Sequence, residues 1–346
     1  LYVPRQPSTI KRLLHLISFA LSSFLRLLSQ VFWRADVIIC VVPTQFTSPA
    51  ALVYAKLCGA KSVIHIQDYE LDAMFGLGMA GGSKLKQFGF AVERFLLRGF
   101  DAVSSISQSM LNKARDKGVE ADRLVFFPNW SDTRKFSNID STAINTLRSQ
   151  LGISNDRKVV LYSGNMGEKQ GLESVVEAAK NLATQRTDLE FVLVGRGAGK
   201  ARLEALVKEY KLENVTFSDL LPFEQLPVLL AMADCHLVVQ KRGVADAVLP
   251  SKLTNILAAG GNAVITAEAD TELGVLCEQR EGIACLVEPE SVEELVEGIR
   301  QALTMPKPNS IASEYAQECI EGQTVLRAYE ACLVELVEKK NRHNKS

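Results

Sequence analysis

The sequence lacks several features that mark common functional classes. No two of its seven cysteines stand at CxxC spacing, and their number is odd. That speaks against a zinc site or a disulfide framework and fits a reducing cytoplasm. A basic surplus is also missing. The formal net charge is -1, which gives no support to nucleic acid as a partner. No Asp-x-Asp pair stands out at a strand end, so neither a metal nor another cofactor is expected. Residues 1–10 lack the cationic start and small-residue cleavage pattern of a secretory signal. Disorder is excluded by composition: 47% of residues are hydrophobic and 23% charged. A length of 346 residues suits two domains.

A long uncharged apolar run is absent as well. Leu13 to Trp33 comes nearest and reads as a helix, but His15 and Arg26 interrupt it, and four serines dilute it. Arginine at a membrane centre is costly, so a transmembrane span is disfavoured. Two readings remain: a core helix of the first domain, or a helix lying in a membrane interface, with Lys11, Arg12, Arg26 and Arg34 available to anionic lipid.

Beyond this helix the chain has the pattern of a parallel α/β protein. Continuous apolar runs at 36–42, 61–66, 101–105, 124–127, 158–163, 190–194, 235–240, 263–266 and 285–288 read as buried strands. Between many of them lie helical segments, at 48–57, 85–98, 107–117, 223–232, 251–259 and 291–304. Strands alternating with helices imply βαβ units. The polar segment Phe136 to Thr142 reads as the crossover region. The expected organisation is a Rossmann-like domain over 1–137, a second over 138–322, and a final helix in 323–346 packing back on the first. Doubly wound sheets bind ligands outside the carboxyl ends of their strands, which places the site in a cleft that the two domains face. The fold alone gives no chemistry.

Three segments carry chemistry. Ser163 to Gly171 follows a strand and precedes a helix, and its glycines, Gly164 among them, let backbone amides approach a phosphate. Gly195-Arg196-Gly197-Ala198-Gly199 also follows a strand and can wall a nucleotide pocket. Either segment can equally be an ordinary βα turn. The third is the most informative. Pro250 and Ser251 suit a helix start, whose free amides together with Lys252 make a compact anion site. Asn255 follows one turn later, within reach of a ribose or sugar hydroxyl. The plain alternative is a capped surface helix with a solvated lysine. In the first half, Asp68 and Glu70 follow a strand end and are candidates for acceptor positioning or proton transfer. Loop carboxylates in water are the plain alternative.

In their order these segments resemble glycosyltransferase family 4. The resemblance rests on Ser163–Gly171, the Gly195 loop, Ala233-Asp234 before a strand, and Pro250-Ser-Lys252 leading to Ala258-Ala-Gly260. His65-Ile-Gln-Asp-Tyr-Glu-Leu-Asp72 and Phe127-Pro-Asn-Trp130 further resemble the glycosyltransferase group of colanic acid biosynthesis. The likeness covers nearly the whole chain. It implies the GT-B fold, with two doubly wound parallel-sheet domains, 1–137 on the acceptor side and 138–322 binding the nucleotide-sugar, and retaining transfer from a UDP-sugar or GDP-sugar. The implied donor-site residues are Gly164, Asn165, Lys169, Gly195, Arg196, Ser251, Lys252 and Asn255, with Asp68 and Lys252 as catalytic candidates.

Two departures stand out. Many members carry two glutamates eight apart, where this chain has Ala247 and Asn255. Many also have an arginine and a lysine in the first loop, where Asn165 and Gln170 stand here, with Lys169 adjacent. Phosphate charge is therefore expected to fall mainly on Lys252 and Lys169. The strand and glycine-rich loop that open family members have no counterpart here, so the first domain is expected to be incomplete at its start. The expected acceptor is a lipid-linked saccharide, met at the inner leaflet through the 11–34 helix by a cytoplasmic, peripherally bound enzyme. A GT-B sugar-nucleotide epimerase and a non-catalytic assembly protein are the alternatives.

Overall fold

The computed structural model describes residues 2, 9–42, 45–69, 83–243 and 250–343. They form two compact units, one of 1–128 with 326–346, the other of 129–325. The chain thus changes unit at 128–129. Phe136 packs against the core of the second unit, so the segment 136–142 lies wholly inside that unit and is not the crossover.

In the first unit, α1 (Thr9–Leu28) precedes four parallel strands: β1 (Val37–Val42), β2 (Lys61–Ile66), β3 (Ala102–Ser105) and β4 (Leu124–Phe126). They lie side by side in chain order. Helices α2 (Ser48–Cys58), α3 (Ser83–Gly99) and α4 (Gln108–Asp116) connect them. Two of these helices show plainly what sets their ends. Gly59 closes α2 in the left-handed conformation, φ 68°. Ser107 caps α4 by accepting from the Met110 amide. The β1 edge is half open: Cys40 and Val42 are buried, while Ile39 and Val41 are exposed. Tyr329 of the last helix belongs to this unit. Its ring stacks on Phe127 at 3.8 Å, and its hydroxyl lies 3.2 Å from Ser104 Oγ, which lies 3.0 Å from His65 Nδ1. Burial holds His65 down at about 4, so it is neutral near pH 7.

The second unit has six parallel strands: β5 (Lys158–Asn165), β6 (Leu189–Arg196), β7 (Val215–Ser218), β8 (Cys235–Val238), β9 (Ala263–Thr266) and β10 (Cys285–Val287). Their order across the sheet is β10-β9-β8-β5-β6-β7. This is the doubly wound order, with its switch point between β5 and β8. Alternation along each strand feeds two cores. Val159 and Leu161 face one side, with residues from α5 (Ser141–Gln150), α8 (Leu226–Met232), α9 (Ser251–Ala258), α10 (Glu272–Gln279) and α12 (Ser310–Tyr315). Val160 and Tyr162 face the other, with α6 (Glu173–Ala183), α7 (Lys200–Glu209) and α11 (Val292–Thr304). Covered on both faces, the strands read as unbroken apolar runs. Asp234, part of the Ala-Asp pair before β8, accepts from the Val159 amide at 2.9 Å. It ties the starts of β8 and β5 together, at the amino end of the sheet, opposite the carboxyl-end crevice. The last helix, α13 (Gly322–His343), begins in this unit and continues into the first.

Candidate active site

The site of the second unit grows out of the switch point. Helix α9 follows β8, so its N-terminus sits at the carboxyl edge of the sheet. Pro250 precedes it, extended at ψ 137°. The Leu253 amide turns back to Pro250 O at 2.8 Å, while the amides of Ser251 and Lys252 find no acceptor among the described residues. Two free N–H groups and the positive end of the helix thus face the crevice.

A cavity of about 160 Å³ opens beneath, between β5, β8, α8 and α9. Ser163, Ser251, Lys252, Asn255 and His236 supply its polar walls, while Leu161, Leu226 and Ile256 are among the apolar ones. Lys252 is the central charge. Its ammonium lies 4.6 Å from the centre of the Tyr162 ring, and no carboxylate pairs with it among the described residues. Burial alone pushes it down to about 8. A cation held this way is poised for an anion: bringing phosphate oxygens to it restores the partner that burial removed.

The glycine loops are joined to each other and to this lysine. Gly164 pairs with Gly195, and Asn165 with Arg196, in the β5–β6 register. Tyr162, under the Lys252 ammonium, donates its hydroxyl to Asn165 O at 2.5 Å. Met166 clamps the two loops: its amide donates to Arg196 O at 2.7 Å, and its carbonyl accepts from Gly199 at 2.8 Å. A Cβ at 195 would stand 1.9 Å from Gly164 O, and one at 197 would stand 2.4 Å from Met166 O. These glycines are therefore required by backbone packing, whatever else the loop meets. Lys169 is exposed, in a short helical turn over Glu168–Gln170. Its carbonyl accepts from the Lys241 amide at 2.9 Å. Arg196 is exposed too.

Sequence reading misses four participants. Tyr162 underlies Lys252. Lys241 brings a further cation beside Gly171, where a Cβ would meet its stem at 2.9 Å. His236 lines the cavity at 1% exposure, with both ring nitrogens unpartnered, and burial drives it down to about 3. Ser131 donates to Asn255 Oδ1 at 2.8 Å, so the amide oxygen of Asn255 already has a partner. Apart from the extra cation, no spacing or motif announces them, because each acts through a contact that the local pattern does not encode.

Asp68 stands in the first unit, exposed just beyond the carboxyl end of β2. Next to it Tyr69 is buried and donates to Met110 O at 3.0 Å, which fixes the backbone at the strand end. Glu70, Ala247 and Leu249 lie outside the described residues. Among the described residues no group of three His, Cys, Asp or Glu side chains is placed to hold a metal ion. No helix among them is long and apolar enough to cross a membrane.

The chain matches the family model for glycosyl transferases group 1 over residues 143–319 and that for the glycosyl transferase 4-like domain over residues 1–130. It is 58% identical over 332 residues to WcaI of Escherichia coli K12, a protein provisionally assigned as a colanic acid biosynthesis glycosyl transferase. That match covers 95% of this chain and 81% of WcaI. Anabaena Alr3699/HepE, solved in complex with UDP, superposes with a TM-score of 0.68 at 17% identity, covering 89% of this chain and 80% of that one. Sucrose-phosphate synthase from Thermosynechococcus elongatus gives 0.68 at 18% identity, over 100% and 81% of the two chains. At those identities the likeness concerns the fold. The two family matches and the WcaI identity show that the chain belongs to the group 1 glycosyl transferases and is a glycosyltransferase of the GT-B fold.

Proposed function

We propose that the second unit binds a nucleoside diphosphate-sugar at the switch point, and that the enzyme transfers the sugar with retention of configuration to a growing, lipid-linked exopolysaccharide of the colanic acid type. The observation that carries the donor site is Lys252. A half-buried ammonium without a carboxylate partner among the described residues lies beside two free helix amides over a polar-walled cavity. As the glycosidic bond breaks, the leaving diphosphate gains charge, and a fixed cation with fixed dipoles stabilises it without reorganising. In this reading no metal takes part, because Lys252, the amides of Ser251 and Lys252, and the adjoining Lys169 and Arg196 supply the positive field. Gly164, Asn165 and Gly195 line the approach, Asn255 meets a ribose or sugar hydroxyl, and Asp68 orients the acceptor or takes its proton. The UDP complex of the Anabaena neighbour and the colanic acid name of WcaI support the substrate classes.

The acceptor side is proposed to work at an anionic membrane surface, on the cytoplasmic side of the inner membrane. Along α1, Leu14, Ile17, Leu21, Leu25 and Leu28 recur at helical spacing, and all are exposed. Phe32 and Trp33 follow at 95% and 76% exposure. The exposed Arg26 and Arg34 flank this stripe. α3 adds Phe88, Val92 and Phe95 on its outside, beside Lys84 and Arg94. Its one acid, Glu93, is turned inward to Lys117 and Gln45. An apolar stripe with cations and no outward acid suits an interface rich in anionic headgroups.

Calorimetry with UDP- and GDP-sugars tests the donor site. Binding of one base class, lost in Lys252→Ala, is the expected result. A variant that binds as well as the wild type would remove Lys252 from the site. Product analysis without any acceptor separates transfer from epimerisation.

A further inference from the structure

Asn255 occupies a position on α9 where its side chain serves the cavity, yet its amide oxygen is bonded to Ser131 Oγ, 124 residues away. Ser131 is 8% exposed and sits three residues beyond the point where the chain leaves the first unit. Its backbone is held as firmly as its side chain. The Ser131 amide donates to Ile320 O at 3.0 Å, and the Gly322 amide donates to Ser131 O at 3.2 Å. Ser131 and Glu321 thereby form an isolated parallel bridge. Glu321 accepts in turn from the Thr324 amide at 2.7 Å, at the first turn of α13. By 326 the chain has returned to the first unit. One hydroxyl thus joins the cavity wall to both segments by which the chain passes between its units.

We propose that Ser131 is a positioning residue with two effects. It holds Asn255 by the carbonyl end, so that Asn255 turns its amide protons toward the ligand. The group it meets on the donor is then an oxygen acceptor, a hydroxyl or phosphate oxygen. The same bond passes occupancy of the cavity to the paired segments at 131 and 320–322. A carboxylate at 255 would offer only acceptors, so the pairing of Ser131 with an amide gives this site a polarity of its own.

The proposal rests on the nucleotide reading of the cavity, and the test keeps the two apart. UDP, GDP, ADP and dTDP are titrated into wild type, Ser131→Ala, Ser131→Thr and Asn255→Asp, and amide exchange is followed at 131 and 322 with and without nucleotide. Wild type is expected to bind one nucleotide and to exchange more slowly at both amides when it is bound. Ser131→Ala should bind about 5- to 10-fold more weakly, the scale of one lost hydrogen bond, and should lose the nucleotide-dependent slowing. Ser131→Thr should restore both. Asn255→Asp keeps the acceptor for Ser131 but not the amide protons, so it should weaken binding without speeding exchange in the free protein. Undiminished affinity in Ser131→Ala, or slowing that persists in it, overturns the proposal while leaving the donor site intact. Failure of all four nucleotides to bind wild type overturns the donor reading and this proposal together.

Discussion

Replacing Lys252 by methionine should make the free protein more stable and at the same time useless to its donor. Burial takes this lysine from an ordinary 10.5 to about 8. At about 1.4 kcal/mol for each pH unit, the gap corresponds to roughly 3 kcal/mol held against the charged form. The Tyr162 ring returns about 1 kcal/mol of that through its face. Methionine fills a similar volume with no charge, so a net gain of about 2 kcal/mol is expected near pH 7. For a unit of this size that is a rise of roughly 4–8 °C in Tm. The pH dependence fixes the cause. Because the folded value lies below the unfolded one, the cost is full below about pH 8, shrinks as pH rises toward 10.5, and vanishes above it. The wild type should therefore gain on the variant between about pH 8 and 10.5. Scanning calorimetry at about pH 7, 8.5 and 10 reads this directly. Nucleotide binding near pH 8.5 should also take up a proton, seen as an enthalpy that varies with the ionisation heat of the buffer. A variant that melts below wild type at neutral pH, or a difference unaffected by pH, would refute the account of Lys252 as a strained cation.

Three further expectations are independent of this. His236→Leu removes two buried, unpartnered nitrogens from the cavity wall and should leave urea stability equal or raised, by up to about 2 kcal/mol; a clear loss would mean that the imidazole has a partner, such as a buried water. Gly195→Ala places a methyl 1.9 Å from Gly164 O, so β5 and β6 must part; a loss of at least about 2 kcal/mol in chemical unfolding is expected, and an unchanged midpoint would show that the two strands yield. Leu21→Glu with Leu25→Glu should abolish co-sedimentation with vesicles containing anionic lipid, as should Lys11→Glu with Arg12→Glu; sedimentation unaffected by either pair would end the membrane reading.

Much of the architecture is legible because the strands are covered on both faces. A run such as Val159–Tyr162 can be apolar throughout only if both sides are buried, and its alternate residues do divide between two cores. Helices with few apolar residues escape the same reading. Ser141–Gln150 shows only Ile144 and Leu147 to the core, and its polar start reads as part of a crossover. Glu272–Gln279 and Ser310–Tyr315 are too short for a period to declare itself. At the site, Ser251 and Lys252 are visible because a proline-serine pair announces a helix start. The partners of Lys252 and Asn255 are not. Tyr162 looks like any strand aromatic, and nothing in the spacing of Ser131 points across 124 residues to α9.

The first unit is made of two pieces of chain, with the second unit lying whole between them. The order of synthesis therefore separates the two pieces of the first unit. Residues 1–128 are made first, and the whole of 129–325 follows before residues 326–346 exist. The first unit must wait. Until Tyr329 arrives to stack on Phe127 and reach Ser104, the part of the sheet that it covers stays bare. Nascent chains with an apolar sheet face open are prone to associate. For this protein the hazard falls on the first unit, and it lasts as long as the second unit takes to be translated.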